Sequence, residues 1–173
     1  MTAVLAALVA ATGSCVVSPT PTLFQDPNQC NPHFLSDQAT PGIDKIASRD
    51  PTIPSEAQFT ASVPLESCNL TQSYQAQVFI DSSATPVSFL DEKGDVVTID
   101  DVPSNGTDLR RVQITVQVAG DLAEGCHRIE LYVSGQFREP KQPLRSGDLA
   151  VIVWFVDVHT SGSTDHGVLD CNK

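Results

Sequence analysis

The residues of this sequence best suited to metal binding or catalysis are histidines and carboxylates near the C-terminus. His159, Asp165 and His166 lie close together there, and two imidazoles with a carboxylate would suit copper or zinc. Ser161 and Ser163 precede the Asp165–His166 pair, but residues this close in sequence cannot easily adopt the geometry of a nucleophile, its base and an orienting group. The Gly- and Ser-rich segment also offers such ligands no rigid support. We therefore assign no catalytic residue and no metal ligand to this tail.

A second candidate is the acidic stretch from Asp91 to Asp108, which carries six carboxylates against Lys93 alone. Calcium takes six to eight oxygen ligands, but the spacing here matches no EF-hand loop. We interpret the stretch as a solvated acidic edge that discourages strand-to-strand aggregation. No glycine-rich phosphate loop and no His-Glu-x-x-His sequence is present. The sequence therefore predicts a protein that is not an enzyme and that uses no cofactor.

Charge and composition exclude further classes of function. The chain has 173 residues and a net charge of −11 with histidine neutral. Nucleic-acid binders depend on clustered Lys and Arg, and so does electrostatic binding to anionic lipid; both are disfavoured here. With 40% hydrophobic and 18% charged residues, the chain has enough apolar side chains for one folded domain with appendages.

The first fourteen residues have the character of an export signal. They carry no charged side chain, and their apolar run from Ala3 to Ala11 is shorter than the roughly 20 residues that span a bilayer. The run fits the h-region of a signal peptide, and the small residues at positions 12–14 lead directly to Cys15. This arrangement resembles the lipobox of bacterial lipoproteins. The resemblance implies that Cys15 is diacylated as the mature N-terminus and that Val16 favours sorting to the outer membrane; an ordinary secretory signal is the alternative.

With Cys15 set aside, an even set of cysteines remains: Cys30, Cys68, Cys126 and Cys171. In an exported chain these predict two disulfides. In an up-and-down arrangement of strands, Cys68, Cys126 and Cys171 would lie at one end of the domain. We therefore prefer Cys68 with Cys126 and Cys30 with Cys171, while Cys30 with Cys68 and Cys126 with Cys171 stays open.

The rest of the chain divides into a proline-rich segment and a run of strands. Residues 15–55 hold seven of the twelve prolines, which disfavour helix and central strand; we expect a lipid-anchored tether, partly packed on the domain. From Gln58 the pattern has a period of two, which is typical of half-buried strands. It predicts seven strands, around residues 59–65, 74–80, 87–89, 96–99, 112–118, 127–133 and 149–158. Seven short strands predict an all-β, antiparallel two-sheet sandwich over residues 56–173, including a C-terminal tail.

One segment carries a resemblance to a known fold. The residues from Asp121 to Val133, with Leu122, Gly125 and His127, resemble the turn into strand F of immunoglobulin-like and fibronectin type III-like domains. The resemblance implies a seven-stranded immunoglobulin-like sandwich and nothing about function. It departs from antibody domains in that Trp154 lies on the last strand.

The connection between the last two predicted strands, Ser134 to Gly147, has an unusual charge. Its three basic residues against one Glu139 give +2, which leaves −13 for the rest of the chain. Loops at the end of a sandwich commonly bind partners, and arginine and aromatic residues are favoured at interface centres. We therefore predict that the contact residues for a protein partner are Phe137, Arg138, Lys141, Leu144 and Arg145. The alternative is a hairpin whose basic residues are held by the acidic body.

These features predict a non-enzymatic, lipid-anchored protein of the cell envelope, placed at the outer membrane, which acts as an interaction or assembly module. Two alternatives stay open. One is a small envelope metal-binding protein or enzyme that uses the tail histidines or the acidic hairpin. The other is a secreted eukaryotic module, for which Asn69 and Asn105 would be glycosylation acceptors.

Overall fold

The structure is a computed structural model that describes residues 31–54, 56–83, 96–102, 109–118 and 122–160. Within these ranges the chain forms ten strands and a single turn of 3₁₀ helix, Ser36–Gln38. None of their helices is long and apolar enough to cross a membrane. The predicted signal peptide, Cys15, Cys30, the predicted strand at 87–89 and the histidine tail after residue 160 lie outside the described residues.

The first sheet contains four antiparallel strands in the order β1-β3-β6-β5. Their bounds are His33–Phe34 for β1, Phe59–Ser67 for β3, Arg110–Val118 for β6 and Val96–Val102 for β5. In β6 the β-branched residues from Val112 to Val118 alternate with Gln and Thr, and every second side chain is buried. The period-two pattern thus directs one face of this sheet into the core.

The second sheet has the order β2-β10-β7-β4. Its strands are β2 at Ile46–Arg49, β10 at Leu149–Val158, β7 at Gly125–Ser134 and β4 at Gln75–Ile80. Strand β2 runs parallel to β10, whereas the other pairs are antiparallel. This sheet is therefore mixed.

A single core joins the two sheets. Buried apolar side chains of β3 and β6 from the first sheet form one cluster with those of β4, β7 and β10 from the second. Trp154 is 1% exposed, and its Nε1 donates a hydrogen bond to the Pro41 carbonyl at 3.0 Å. The proline-rich residues therefore cover part of the core, and the all-β arrangement is compatible with a β-sandwich.

Six of the seven predicted strands are confirmed, with bounds that differ by a few residues. The seventh, at 87–89, lies outside the described residues. The sequence pattern missed β1 and β2, and also the small pair β8 at Phe137–Glu139 and β9 at Gln142–Pro143. These strands have two to four residues, which is too short for a period-two pattern to emerge. The count of seven strands is therefore not confirmed.

The preferred pairing of Cys68 with Cys126 is wrong. Both cysteines are disulfide-bonded, but they lie at opposite ends of the fold. The turn after Cys68 lies near the Ser134 end of β7, because Gln72 Nε2 and Ser134 Oγ both donate to the Asp148 carboxylate, at 2.8 and 3.3 Å. Cys126 lies eight residues away along β7, roughly 26 Å in an extended strand, whereas bridged Cα atoms lie within about 7 Å.

The predicted pairing assumed that β4 and β7 start at the same end of the fold. Strand β4 begins at Gln75, opposite Ser134, where β7 ends. The two strands therefore start at opposite ends of the second sheet. Cys68, which precedes β4, is placed far from Cys126 at the beginning of β7.

We predict that the two disulfides join Cys30 to Cys68 and Cys126 to Cys171. His33 lies opposite Glu66, so the chain enters β1 near Cys68, and Val158 lies opposite Gly125, so the tail leaves β10 near Cys126. Trypsin cuts after Lys and Arg, which places these four cysteines on four different peptides. Mass spectrometry of the unreduced digest should detect the two predicted linked pairs, and a Cys68–Cys126 or Cys30–Cys171 pair would contradict the placement.

Candidate functional site

The connection predicted to bind a partner folds into a small hairpin on the outer face of the second sheet. Strand β8 pairs antiparallel with β9, and the turn between them contains Pro140 and Lys141. Lys141 has a φ of 62°, a left-handed conformation that is uncommon for residues with a Cβ. We call residues 137–145 the basic hairpin.

Two glutamines of β4 hold the basic hairpin against the sheet. The backbone N–H of Phe137 donates to Gln75 Oε1 at 3.2 Å, and that of Lys141 donates to Gln77 Oε1 at 3.0 Å. Alternation along β4 sends Ala76 into the core and the two glutamines to the outer face. The position of the hairpin is therefore set by its backbone as well as by its side chains.

The ammonium group of Lys141 lies between an acid and two aromatic rings. Its Nζ is 2.8 Å from Glu130 Oε2, 4.4 Å from the centre of the Phe79 ring and 5.4 Å from that of Tyr132. The two rings meet edge to face, with centres 5.3 Å apart. Such cation–π contacts strengthen when they are shielded from water. Lys141 therefore fastens the basic hairpin to the sheet.

Glu130 is the acid of this network and is 1% exposed. Besides Lys141, its carboxylate accepts hydrogen bonds from Ser82 Oγ at 2.9 Å and from Tyr132 OH at 3.1 Å, and Arg128 Nε lies 3.0 Å away. Burial of a charge is tolerated when the charge is paired and hydrogen-bonded in this way. Burial by itself would raise the pKa of Glu130, but the hydrogen bonds from Lys141 and Ser82 and the charges of Arg128 and Lys141 outweigh it. The pKa of Glu130 is lowered.

The other predicted contact residues face solvent to different degrees. Arg138 and Arg145 are exposed, and neither guanidinium forms an ion pair with a carboxylate among the described residues. Leu144 is 43% exposed, and Phe137 is half-buried. The structure therefore separates Lys141, which is held by Glu130, from the two arginines, which are exposed and have no ion pair within the described ranges.

An open cleft of about 440 Å³ lies beside the basic hairpin. It separates β4, at the edge of the second sheet, from β5, at the edge of the first. Its lining comprises Tyr74, Gln75, Ala76, Gln77, Val97, Ile99 and Phe137. Burial raises the pKa of the Tyr74 hydroxyl, so the lining is uncharged at neutral pH. The sequence contained no signal for this cleft, because it arises from the way in which two strand edges face each other.

The histidines do not converge in the described part of the chain. His127 Nδ1 is 2.8 Å from Asp81 Oδ2, and its Nε2 is 2.7 Å from the Ala123 carbonyl oxygen, which makes it a hydrogen-bonded corner residue. His159 Nδ1 is 3.5 Å from Asp157 Oδ2 at the end of β10. No group of three or more His, Cys, Asp or Glu side chains suited to a metal ion occurs among the described residues; Asp165 and His166 lie outside them.

The acidic stretch is described only in part. Asp100 and Asp101 lie on β5 and are exposed, and Asp101 Oδ1 is 2.8 Å from Arg110 Nη2. The Arg110 guanidinium also lies 5.4 Å from the centre of the Tyr74 ring, at one end of the cleft. This carboxylate therefore acts in an ion pair across two neighbouring strands.

We predict that Glu130→Gln lowers the free energy of unfolding by about 1–2 kcal/mol at pH 7, because it replaces a charge-assisted acceptor with a neutral one. The pKa of Glu130 is lower in the folded than in the unfolded state. Its stabilising effect is therefore present above the unfolded value of about 4.3 and is lost as the pH falls through the folded value. In urea titrations followed by circular dichroism, the difference between wild type and Glu130→Gln should shrink from pH 7 to pH 3.

Glu139→Gln is the matched control, since Glu139 lies on the same hairpin and is exposed. This variant should change stability by no more than about 0.5 kcal/mol at either pH. A Glu130→Gln effect that is absent at pH 7, or that grows on acidification, would contradict the anchoring role of the carboxylate.

Comparison with known proteins found no family model that matches the chain and no curated protein that is significantly similar to it.

Proposed function

We propose that this chain is a non-enzymatic, lipid-anchored protein of the cell envelope, placed at the outer membrane, and that the basic hairpin is its contact with a protein partner. The observation that carries the proposal is the state of Arg138 and Arg145. Both are exposed and neither pairs with a described carboxylate, although the chain has a net charge of −11. Two exposed cations on an acidic protein are suited to an acidic partner.

The anchoring of the hairpin supports this role. Lys141 is held at Glu130, and the backbone of the hairpin is held by Gln75 and Gln77. A contact surface that is already ordered loses less conformational entropy on binding than a loose loop does. Phe137 and Leu144 add apolar area beside the arginines, as is common at the centres of interfaces.

Strand order supports an immunoglobulin-like assignment of the fold. If β1, β3, β4, β5, β6, β7 and β10 are named A to G in chain order, the first sheet has the order A-B-E-D and the second contains G-F-C. This order matches that of the two sheets in a constant-type immunoglobulin sandwich, with β2 as an additional strand beside β10. In these terms the basic hairpin belongs to the F–G connection, which leaves from an end of the sandwich where such domains commonly bind and folds back over the outer face of the second sheet.

Two features of the sequence support placement in the envelope. The apolar run and small residues before Cys15 have the lipobox pattern, and disulfide-bonded cysteines at positions 68 and 126 are typical of an oxidising compartment. The proline-rich residues after Cys15 would act as the tether between the anchor and the domain.

We predict that the double variant Arg138→Glu/Arg145→Glu loses the protein partner but keeps its fold. Reversing both charges replaces attraction to an acidic partner with repulsion. The affinity for that partner should fall at least about tenfold, which corresponds to about 1.4 kcal/mol of binding free energy. The full chain serves as bait in an envelope extract, and captured proteins are quantified by mass spectrometry.

Lys45→Glu is the control for charge reversal at another exposed position, because Lys45 is exposed and lies outside the hairpin. Proteins captured by wild type and by Lys45→Glu should be depleted from the double variant. Equal capture by all three baits would rule out the basic hairpin as the contact.

A separate prediction concerns the anchor. When the gene is expressed with its own N-terminus in a bacterial host, mass spectrometry of the membrane fraction should find an N-terminal peptide that begins at a lipid-modified Cys15. Cys15→Ser should abolish this modification and release the protein from the membrane. An unmodified N-terminus in the wild type would contradict the lipid anchor and favour a secreted module.

A further inference from the structure

We propose that the cleft between β4 and β5 binds an extended acidic segment of a partner protein, with one apolar side chain in the cleft and flanking carboxylates at Arg138 and Arg145. The inference rests on the proposed function and specifies the partner's chemistry. The basic hairpin could contact a partner without the cleft, so binding in the cleft is an additional claim.

The first argument concerns the two strand edges. β4 pairs with β7 and β5 pairs with β6, each along one side. Among the described residues, no strand pairs with the other side of either. An open edge presents backbone donors and acceptors at which an added strand can bind.

The second argument is the apolar floor of the cleft. Ala76 belongs to the buried core, and Val97 and Ile99 pack against that core while remaining partly exposed. The volume of about 440 Å³ lies within the range of sites that enclose small ligands. A single apolar side chain of a bound strand would cover these residues and gain the free energy of their burial.

The third argument is the supply of hydrogen-bond donors at the rim. The Oε1 atoms of Gln75 and Gln77 accept from backbone N–H groups of the hairpin, which directs the Nε2 groups elsewhere. Neither Nε2 donates to a residue of the described chain. Both could therefore donate to carbonyl or carboxylate oxygens of a bound segment, as far as the described residues determine.

The fourth argument is charge. Arg138 follows Phe137, which lines the cleft, whereas Arg110 at the opposite end is already paired with Asp101. The exposed Asp100 lies on the solvent face of β5. The free positive charge is therefore on the hairpin side, and the acidic remainder of the chain disfavours an acidic segment at other surfaces.

The experiment selects random twelve-residue peptides, displayed on phage, against the immobilised full chain. The enriched peptides should carry an excess of Asp and Glu and at least one large apolar residue. A synthetic peptide of the most enriched sequence is then titrated by fluorescence anisotropy. No enrichment, or enrichment without acidic residues, would overturn the proposal.

Gln75→Glu tests the cleft itself. It keeps the acceptor for the Phe137 N–H but adds a negative charge at the rim, so the acidic peptide should bind about tenfold more weakly. Gln58→Glu is the matched control, since Gln58 is exposed just before β3 and does not line the cleft. Melting temperatures of both variants check that the fold is retained, and equal affinity for the peptide would overturn the proposal.

Phe137→Ala provides a second test that adds no charge, and Ile53→Ala, at an exposed apolar residue that does not line the cleft, is its control. The first should weaken peptide binding and the second should leave it within about twofold. Should Phe137→Ala bind as wild type does, the cleft is not the site.

Two other occupants are separate outcomes that would overturn the assignment. If the chain self-associates in sedimentation experiments and Gln75→Glu prevents this, the occupant is a second copy. If peptides bind only after residues 86–93 are replaced by Gly and Ser, the occupant is the chain itself.

The outcomes also separate this inference from the proposed function. Capture that is lost in Arg138→Glu/Arg145→Glu but unchanged in Gln75→Glu would preserve the basic hairpin as contact and remove the cleft. Capture that responds to Gln75→Glu but not to reversal of the arginines would place the contact in the cleft without the hairpin charges.

Discussion

The burial of the Glu130 carboxylate beneath the basic hairpin is the interaction on which the candidate site depends. Glu130 occupies an outward position on β7, where a charged side chain would ordinarily remain in water. The Lys141 ammonium pairs with it at 2.8 Å and lies against the Phe79 and Tyr132 rings. The connection between β7 and β10 is thereby drawn down onto the sheet. Because the hairpin is held there, Phe137 reaches the edge of the cleft.

This pairing also separates the roles of three basic residues that are similar in the sequence. The ammonium of Lys141 is compact enough to fit between an acid and two rings. Lys141 therefore has a structural role. Arg138 and Arg145 lie on either side of it in sequence and remain exposed. The local excess of charge that marks the hairpin is thus divided between a structural cation and two cations open to solvent.

The main strands could be predicted from the sequence because alternation is dictated by the burial of one face. Residues 112–118 and 127–133 show that alternation clearly, and both segments are strands. The basic hairpin was found as a region because charge and proline content are local properties. The two short strands β1 and β2 were missed, since their pairing depends on distant residues, such as Glu66 for His33 and Phe155 for Ile46.

The candidate site was harder to predict than the main strands, because it also depends on contacts between residues that are distant in the sequence. Glu130 alternates like any outward-facing residue of β7, and nothing in its neighbours in sequence indicates that it is 1% exposed. The cover comes from residues 137–145, which fold back over the sheet. The pairing of Cys68 and Cys126 could not be predicted from the sequence either. The distance between them depends on the direction of β4 relative to β7, which spacing along the chain does not determine.

The distribution of charge follows from these constraints and bears on how a partner would approach. The net charge of −11 disfavours anions overall, whereas Arg138 and Arg145 place two exposed positive charges on a hairpin that is held to the sheet. A partner with an acidic segment would be steered toward that region by the long-range field and rejected elsewhere. At physiological ionic strength this field extends only about 8 Å, so steering acts in the last stage of approach. On the proposed function, specificity would come from contacts made at short range, and the uncharged cleft beside the hairpin would supply them.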